Sequence, residues 1–228
     1  MIVACHQPIF MPWPGFFAKA MKADLLILMD NVQFPLGSSW MSRNRIKTKD
    51  GQLWLSVPVL RKGRGLQKIH QVDIFNERDW GKKHCQRLAY AYHRAPYFPE
   101  HRPFFEEIFL RNWTQLLKLN LSILNYLWDV LKMQTPFELS SKLDTKTTGT
   151  ELLVEVCQKV GADVYLSSAP GRKYLDEELL SKAGIQVKYF KYRPPAYPQL
   201  WGSFLPNLSI VDLLFNCGPK SREIIAAC

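Results

Sequence analysis

The chain begins with two short apolar runs that enclose an amphipathic stretch. Residues 2–5 predict a β-branched strand, residues 16–23 a helix, and residues 25–29, which have an aspartate on each side, a buried strand. A strand, a helix and a strand in close succession form a βαβ unit, whose two strands run parallel. The start of the chain therefore predicts a parallel sheet.

The same alternation returns in the last third of the chain. There the pattern predicts helices at 149–160 and 174–183, strands at 164–166 and 186–190, and a final helix pair at 209–216 and 220–227. Two further strands are predicted at 53–59 and 69–74, and helices at 80–93, 104–113 and 117–131. The expected fold class is α/β, with a mostly parallel, Rossmann-like sheet and a helical insert in the middle third.

We expect one domain over residues 1–228, in which α/β halves at about 1–76 and 145–228 flank a helical segment at about 77–135. The 47% hydrophobic and 13% aromatic content exclude disorder as the main state. The apolar stretch at 116–131 contains charged and amide residues and is too short for a membrane span. The N-terminus lacks a signal-peptide pattern, which predicts a cytoplasmic protein. The five cysteines form no CxxC pair, so reduced thiols and no metal site are expected.

The net charge of +10 favours anionic partners such as nucleotides and phosphorylated sugars. Nucleic acid is the least favoured anionic partner, because no recognition motif is present and the basic residues are spread among turns. P-loop, GxSxG, HExxH and DxD-like motifs are also absent, which weighs against the common NTPases, hydrolases, metalloproteases and metal-dependent glycosyltransferases.

Polar residues follow the predicted strands, where ligands of open α/β sheets bind. His6 and Gln7 follow the first strand, and His6 is a candidate acid/base, although a structural cap is equally compatible with its position. Lys19, in the first helix, is a candidate phosphate ligand. Gln33 and the run Arg43-Asn44-Arg45 follow the second strand and are expected in a loop beside His6, where they can bind phosphate or carboxylate.

Further candidates lie in the middle and last thirds. Ser167 and Tyr174 border a loop between a strand and a helix that can bind an anion. His84 falls on a helix face with Trp80 and is either catalytic or a packed core residue. Asp212 is a catalytic candidate, but Ser209 three residues earlier makes a capping role the better explanation.

Long segments of the chain resemble the WbqC-like protein family. The N-terminal ones are His6-Gln7-Pro8, Asp30-Asn31-Val32-Gln33-Phe34 and Trp54-Leu55-Ser56-Val57-Pro58-Val59. The C-terminal ones include Gly161-Ala162-Asp163, Tyr197-Pro198-Gln199-Leu200 and Ser209-Ile210-Val211-Asp212, with Asn216 as a further candidate ligand. The sequence departs from the family's pattern at Ser42, Ser168 and Trp201. If one of these positions serves catalysis in relatives, the activity of this chain is expected to be altered or lost. The resemblance implies a bacterial protein of O-antigen or other surface-glycan biosynthesis.

The leading hypothesis is a transferase that acts on a nucleotide-activated amino sugar, a phosphorylated small molecule. Arg43 and Arg45 would bind the diphosphate, and His6 would serve as acid/base in acyl or aminoacyl transfer. Apart from such a donor no cofactor is evident. Two alternatives stay open: a nucleotidyltransferase-like enzyme, which would need Mg²⁺, and a non-catalytic binder of nucleotide sugars that acts as a scaffold. The sequence does not indicate an oligomeric state.

Overall fold

A computed structural model describes residues 1–228. The strands are β1 (Ile2–His6), β2 (Leu25–Leu28), β3 (Arg43–Thr48), β4 (Gly51–Ser56), β5 (Phe137–Leu139), β6 (Val164–Ser168) and β7 (Gln186–Phe190). The helices are α1 (Pro14–Ala20), α2 (Trp80–Tyr92), α3 (Phe98–Leu110), α4 (Leu116–Val130), α5 (Gly149–Val160), α6 (Glu177–Lys182), α7 (Ile210–Cys217) and α8 (Ser221–Ala226).

The main sheet has the strand order β5-β2-β1-β6-β7, and all its neighbours are parallel. After β1 the chain adds β2 and β5 on one side of it, and then crosses back to add β6 and β7 on the other side. The direction of winding therefore reverses between β1 and β6, as in a Rossmann fold. The prediction of an α/β, Rossmann-like fold is confirmed.

Alternate residues of the central strands enter two different cores. Ala4 and Leu26 belong to a cluster of 46 buried residues on one face of the sheet. Val3 and Ile27 belong to a cluster of 11 residues on the other face, where Leu152 of α5 and Leu180 of α6 pack. Because successive side chains of a strand point to opposite faces, a strand that is apolar on both faces must be covered by helices on both sides.

The middle third is helical, as predicted, but two predictions around it are corrected. The run at 69–74 is not a strand: Ile69–Gln71 forms a 3-10 turn, and only single antiparallel bridges join Val59 to Ile74 and Asp73 to Gln115. The segment 43–48, expected in a loop, is strand β3, which pairs with β4 in an antiparallel hairpin outside the main sheet. Strand β5, which the sequence did not predict, supplies one edge of the main sheet.

None of the helices combines the length with the hydrophobicity that crossing a membrane would require.

Candidate functional site

A cavity of about 400 Å³ lies at the carboxyl edge of the sheet, at the switch point between β1 and β6. The predicted site residues that line it are His6, Gln7, Lys19, Ser167 and Tyr174. Its wall also includes Gly149 and Thr150 at the start of α5, a contribution that the sequence analysis missed. We call this cavity the switch-point cleft. Its size and its place in the sheet are typical of small-molecule sites.

His6 ends strand β1, and its ring packs against those of Trp13 and Phe16, with centroid distances of 5.5 and 4.9 Å. Its Nδ1 lies 3.0 Å from the carbonyl oxygen of Gln7. Because a carbonyl only accepts, Nδ1 is the donor, and Nε2 of the neutral ring keeps a free lone pair. Burial and the nearby Lys19 lower the pKa of His6 to about 4. At neutral pH His6 can therefore accept a proton but has none to give as an acid.

Lys19 projects from α1 into the cleft and is only 4% exposed. Its Nζ donates to the carbonyl oxygen of Cys5 over 3.0 Å, and it forms no salt bridge. Burial lowers its pKa to about 8, so the ammonium form still predominates at pH 7. An ammonium group has three protons to donate, and two remain for a ligand. Lys19 is thus a nearly buried positive charge without a counterion.

The N-terminus of α5 faces the same cleft. Thr148 is the N-cap residue, but its side chain makes no capping hydrogen bond, and Gly149 and Thr150 line the cavity. The free N–H groups at the start of a helix carry partial positive charge and bind anions. A polar run that ends in a Thr-Gly pair before an amphipathic helix is the sequence signal that could have identified this wall.

The loop after β6 closes the cleft on its far side. A Cβ atom at Gly171 would lie 2.4 Å from Oγ of Ser167, so a larger residue at this position would force the serine hydroxyl to rotate. Ser167 is almost fully buried, whereas Tyr174, at the rim, is 85% exposed. The serine hydroxyl donates a long hydrogen bond, of 3.3 Å, to the carbonyl oxygen of Ser168. Because this bond is long, the hydroxyl can turn toward a ligand.

A second cavity, of about 500 Å³, continues the carboxyl edge toward β2 and shares Gly149 with the switch-point cleft. Gln33 lines this second cavity together with Asn31 and Lys68. The amide of Asn31 donates to Oγ1 of Thr145 over 2.8 Å, which joins the loop after β2 to the segment before α5. A ligand larger than the cleft could extend in this direction.

The structure does not bring Arg43, Asn44 and Arg45 to the switch-point cleft. Asn44 is 1% exposed, and its amide donates to the carbonyl oxygens of Phe10 and Met11. Arg45 donates to the Gln52 side chain over 2.8 Å and to the carbonyl oxygen of Asn207 over 3.3 Å. Arg43 stacks on the ring of Trp54, at 4.3 Å from its centroid. Asn44 faces away from its two neighbours because successive side chains of a strand point to opposite faces, whereas Arg43 and Arg45 share the other face.

His84 and Asp212 also lie outside the cleft lining. His84 is 1% exposed among the rings of Phe10, Trp80 and Phe109, and neither ring nitrogen has a hydrogen-bond partner. Burial lowers its pKa to about 3, so the ring is neutral. The geometry matches the core-packing alternative for this residue.

Asp212 is fully buried, and its two carboxylate oxygens accept hydrogen bonds from Tyr92 at 2.7 Å and Tyr197 at 2.9 Å. Burial raises its pKa, against which the two hydroxyl groups act. The expected cap does not form, since the Ser209 hydroxyl donates to the carbonyl oxygen of Met11 instead. Asn216 donates to the Asp212 carbonyl oxygen over 2.7 Å. These contacts are those of a structural network that joins α2 and α7.

No group of three or more histidine, cysteine or acidic side chains is arranged to hold a metal ion.

The fold and the cleft together define an α/β protein with a ligand-sized site at the switch point of a Rossmann-order sheet. The model of the WbqC-like protein family matches residues 7–224, and the chain belongs to this family. It is 36% identical to "Uncharacterized protein Rv1507c" of Mycobacterium tuberculosis over 228 residues, which cover 99% of this chain and 98% of the relative. No solved structure matches the chain.

Proposed function

We propose that the protein is a transferase that acts on a nucleotide-activated amino sugar, or a related phosphorylated intermediate, in bacterial surface-polysaccharide biosynthesis. The observation that carries the proposal is Lys19, a nearly buried cation without a counterion, in a cleft that also faces the start of α5. A phosphate group would supply the missing charge. The pathway rests on the family resemblance alone.

The position of His6 at the same cleft supports acyl or aminoacyl transfer as the reaction class. In acyl or aminoacyl transfer, the amine of the sugar attacks the carbonyl carbon of the donor, and the bond between that carbon and the leaving group breaks. The amine must lose a proton, which Nε2 of the neutral His6 can accept and then pass to the leaving group. The low pKa of His6, about 4, keeps this nitrogen free at neutral pH.

A second candidate is a non-catalytic binder of nucleotide sugars that acts as a scaffold. It is favoured by the finding that two of the three predicted catalytic residues, His84 and Asp212, are core residues away from the cleft. Such a protein would use Lys19 and α5 in the same way but would release its ligand unchanged.

Binding is the first step to test, with a panel of nucleotide-activated amino sugars and isothermal titration calorimetry. We expect at least one to bind and Lys19→Met to weaken it about ten-fold or more, because a charge-assisted hydrogen bond is lost. Lys22→Met, an exposed lysine just past the end of α1, is the matched control and should bind as the wild type does. If no member of the panel binds, or if both variants weaken binding equally, the proposed substrate class is wrong.

Turnover separates the two candidates. The bound sugar is incubated with acyl and aminoacyl thioesters and adenylates, and mass spectrometry detects the acylated amine. The transferase predicts a product whose rate of formation falls on His6→Ala while the affinity for the sugar stays within a few-fold of wild type. A protein that binds the sugar tightly but forms no product with any donor is the scaffold.

A further inference from the structure

A third cavity, of about 490 Å³, lies beside the β3–β4 hairpin. It has no lining residue in common with the switch-point cleft or with the cavity next to it. Arg43, Arg61 and Arg78 line it, and no acidic residue does. We call it the arginine cavity. The three arginines come from β3, from the loop after β4 and from the segment before α2, so only the fold brings them together.

The charges of these arginines are not neutralised within the molecule. None of the three takes part in any of the salt bridges of the structure. Arg61 donates to the carbonyl oxygens of residues 35, 36 and 37, at 2.6, 2.9 and 2.9 Å, and stacks on Phe34. Arg43 is held by its stacking on Trp54. These contacts fix the positions of two guanidinium groups but leave their positive charges without a counterion.

The rest of the lining provides two further kinds of contact. Ser38 and Ser56 are exposed hydroxyl donors, whereas Ser39 and Ser42 form the buried part of the wall. Val57, Pro58, Val59 and Phe75 add an apolar surface. A concave site with a few polar groups, an apolar wall and a volume in this range is typical of small-molecule binding.

We propose that the arginine cavity binds the phosphate groups of a small organic phosphate. Guanidinium groups bind phosphate through paired hydrogen bonds, and three of them suit an anion with several negative charges, such as a diphosphate. The apolar wall would then contact the organic part of the ligand. The three arginines line one open pocket and do not form the long basic track that a nucleic acid needs, which favours a small molecule. This site does not depend on the function proposed for the switch-point cleft.

The test is a calorimetric titration of the full chain with inorganic pyrophosphate. We expect Arg78→Gln and Arg43→Gln each to weaken binding about ten-fold or more, since each removes charge-assisted hydrogen bonds. Arg78 is exposed and forms no salt bridge, so its replacement should leave the fold intact. Arg94→Gln removes the same charge from an exposed position outside the cavity, and should bind pyrophosphate as the wild type does.

Pyrophosphate could also bind at Lys19, so the titration is repeated with Lys19→Met. Binding that persists in this variant and is lost with Arg78→Gln supports the arginine cavity, even if no nucleotide sugar binds the cleft. Binding that disappears with Lys19→Met and is unaffected at Arg43 and Arg78 would overturn it. So would arginine-dependent binding that is seen only with duplex DNA or with phosphatidylglycerol vesicles.

Discussion

Lys19 and His6 are two basic side chains at one cleft, and burial lowers the pKa of each. The protein keeps the charge on only one of them at neutral pH, because the pKa of Lys19 falls to about 8 and that of His6 to about 4. The positive charge near His6 further disfavours its protonation. One cleft therefore holds a charged ammonium group and an unprotonated imidazole nitrogen together.

The buried charge of Lys19 makes a testable contribution to stability. Between pH 8 and the usual lysine pKa of 10.5, the unfolded chain holds a proton that the folded protein has lost, so stability rises with pH through this group. The rise amounts to about 3 kcal/mol. We expect the free energy of unfolding of wild type minus that of Lys19→Met to increase by this order from pH 7 to pH 10.5. Urea denaturation measures the two free energies of unfolding. A difference that does not change with pH, or an equal rise in the difference between wild type and Lys22→Met, would contradict the lowered pKa of Lys19.

The buried His84 side chain should lower the stability of the protein at acid pH. Its pKa is about 3 in the folded protein against a usual 6.5, so below pH 6.5 the unfolded state binds a proton that the folded state excludes. Stability is lost as the pH falls from 6.5 toward 3, by up to about 5 kcal/mol. We expect His84→Leu to remove this part of the acid destabilisation, and its thermal midpoint to fall less than that of wild type between pH 7 and pH 4. His93→Leu, at an exposed histidine, is the control and should follow the wild type.

Position after a strand was enough to place His6, Gln7 and Ser167 at the cleft, because strand ends of a parallel sheet meet at one edge. The buried state of Asp212 could not be predicted in this way. Its hydrogen-bond donor Tyr92 is 120 residues away in the chain. A single sequence shows neither that contact nor the burial that follows from it, and it offered only the local capping pattern that the structure does not use.

The segment between β1 and α1 is held in place by two other elements. Met11 adopts a φ of 46°, in the left-handed region, and its carbonyl oxygen accepts hydrogen bonds from Asn44 of β3 at 2.7 Å and from Ser209, before α7, at 2.8 Å. A bulky residue in this conformation is strained unless its surroundings fix it. The hairpin thus positions the loop that carries Gln7 and Trp13 next to the cleft.

Removal of the Asn44 amide should therefore affect both stability and ligand binding. We expect Asn44→Ala to lower the free energy of unfolding by about 2 to 4 kcal/mol, since two buried carbonyl groups lose donors. The affinity of the switch-point cleft should fall as well, because the loop loosens. Chemical denaturation and calorimetry measure the two effects. Gln52→Ala, at an exposed partner on the paired strand, should change stability by less than about 0.5 kcal/mol. Equal losses for the two variants would show that the hairpin does not hold the loop.

The predicted elements are those whose apolar pattern is local and clear, such as β1, β2, β6 and β7. Strand β3 was not predicted, because its buried positions include the polar residues Asn44 and Lys47. The sequence therefore lacks the alternation of apolar and polar residues that predicts a strand. Strand β5 has only three residues, too few for a pattern. The run at 69–74 is apolar enough for a strand, but its backbone finds only isolated partners in the folded chain. In each case the deciding contacts are tertiary, which local sequence does not encode.

The sheet order joins the first and last thirds of the chain into one structure. Strand β1 pairs with β2 on one side and with β6 on the other, and the N-terminal ammonium group lies 2.7 Å from the carboxylate of Asp163. Phe215 of α7 packs on Tyr92 and Phe98 from the helical segment, with centroid distances of 5.1 and 5.2 Å. The switch-point cleft is therefore built from parts that are distant in sequence, and it forms only when both ends of the chain have folded together.

A split of the chain tests this interdependence. Residues 146–228 alone would have two paired strands whose central neighbour, β1, is missing, and an α7 without the aromatic residues it packs on. Because a two-stranded sheet is marginal in water, we expect this fragment to be unfolded by far-UV circular dichroism. The full chain should unfold in one cooperative transition, and mixing the fragment with residues 1–145 should restore helical signal and ligand binding together. A fragment 146–228 that melts cooperatively by itself would show instead that the C-terminal α/β part is an independent domain, with the cleft at its boundary.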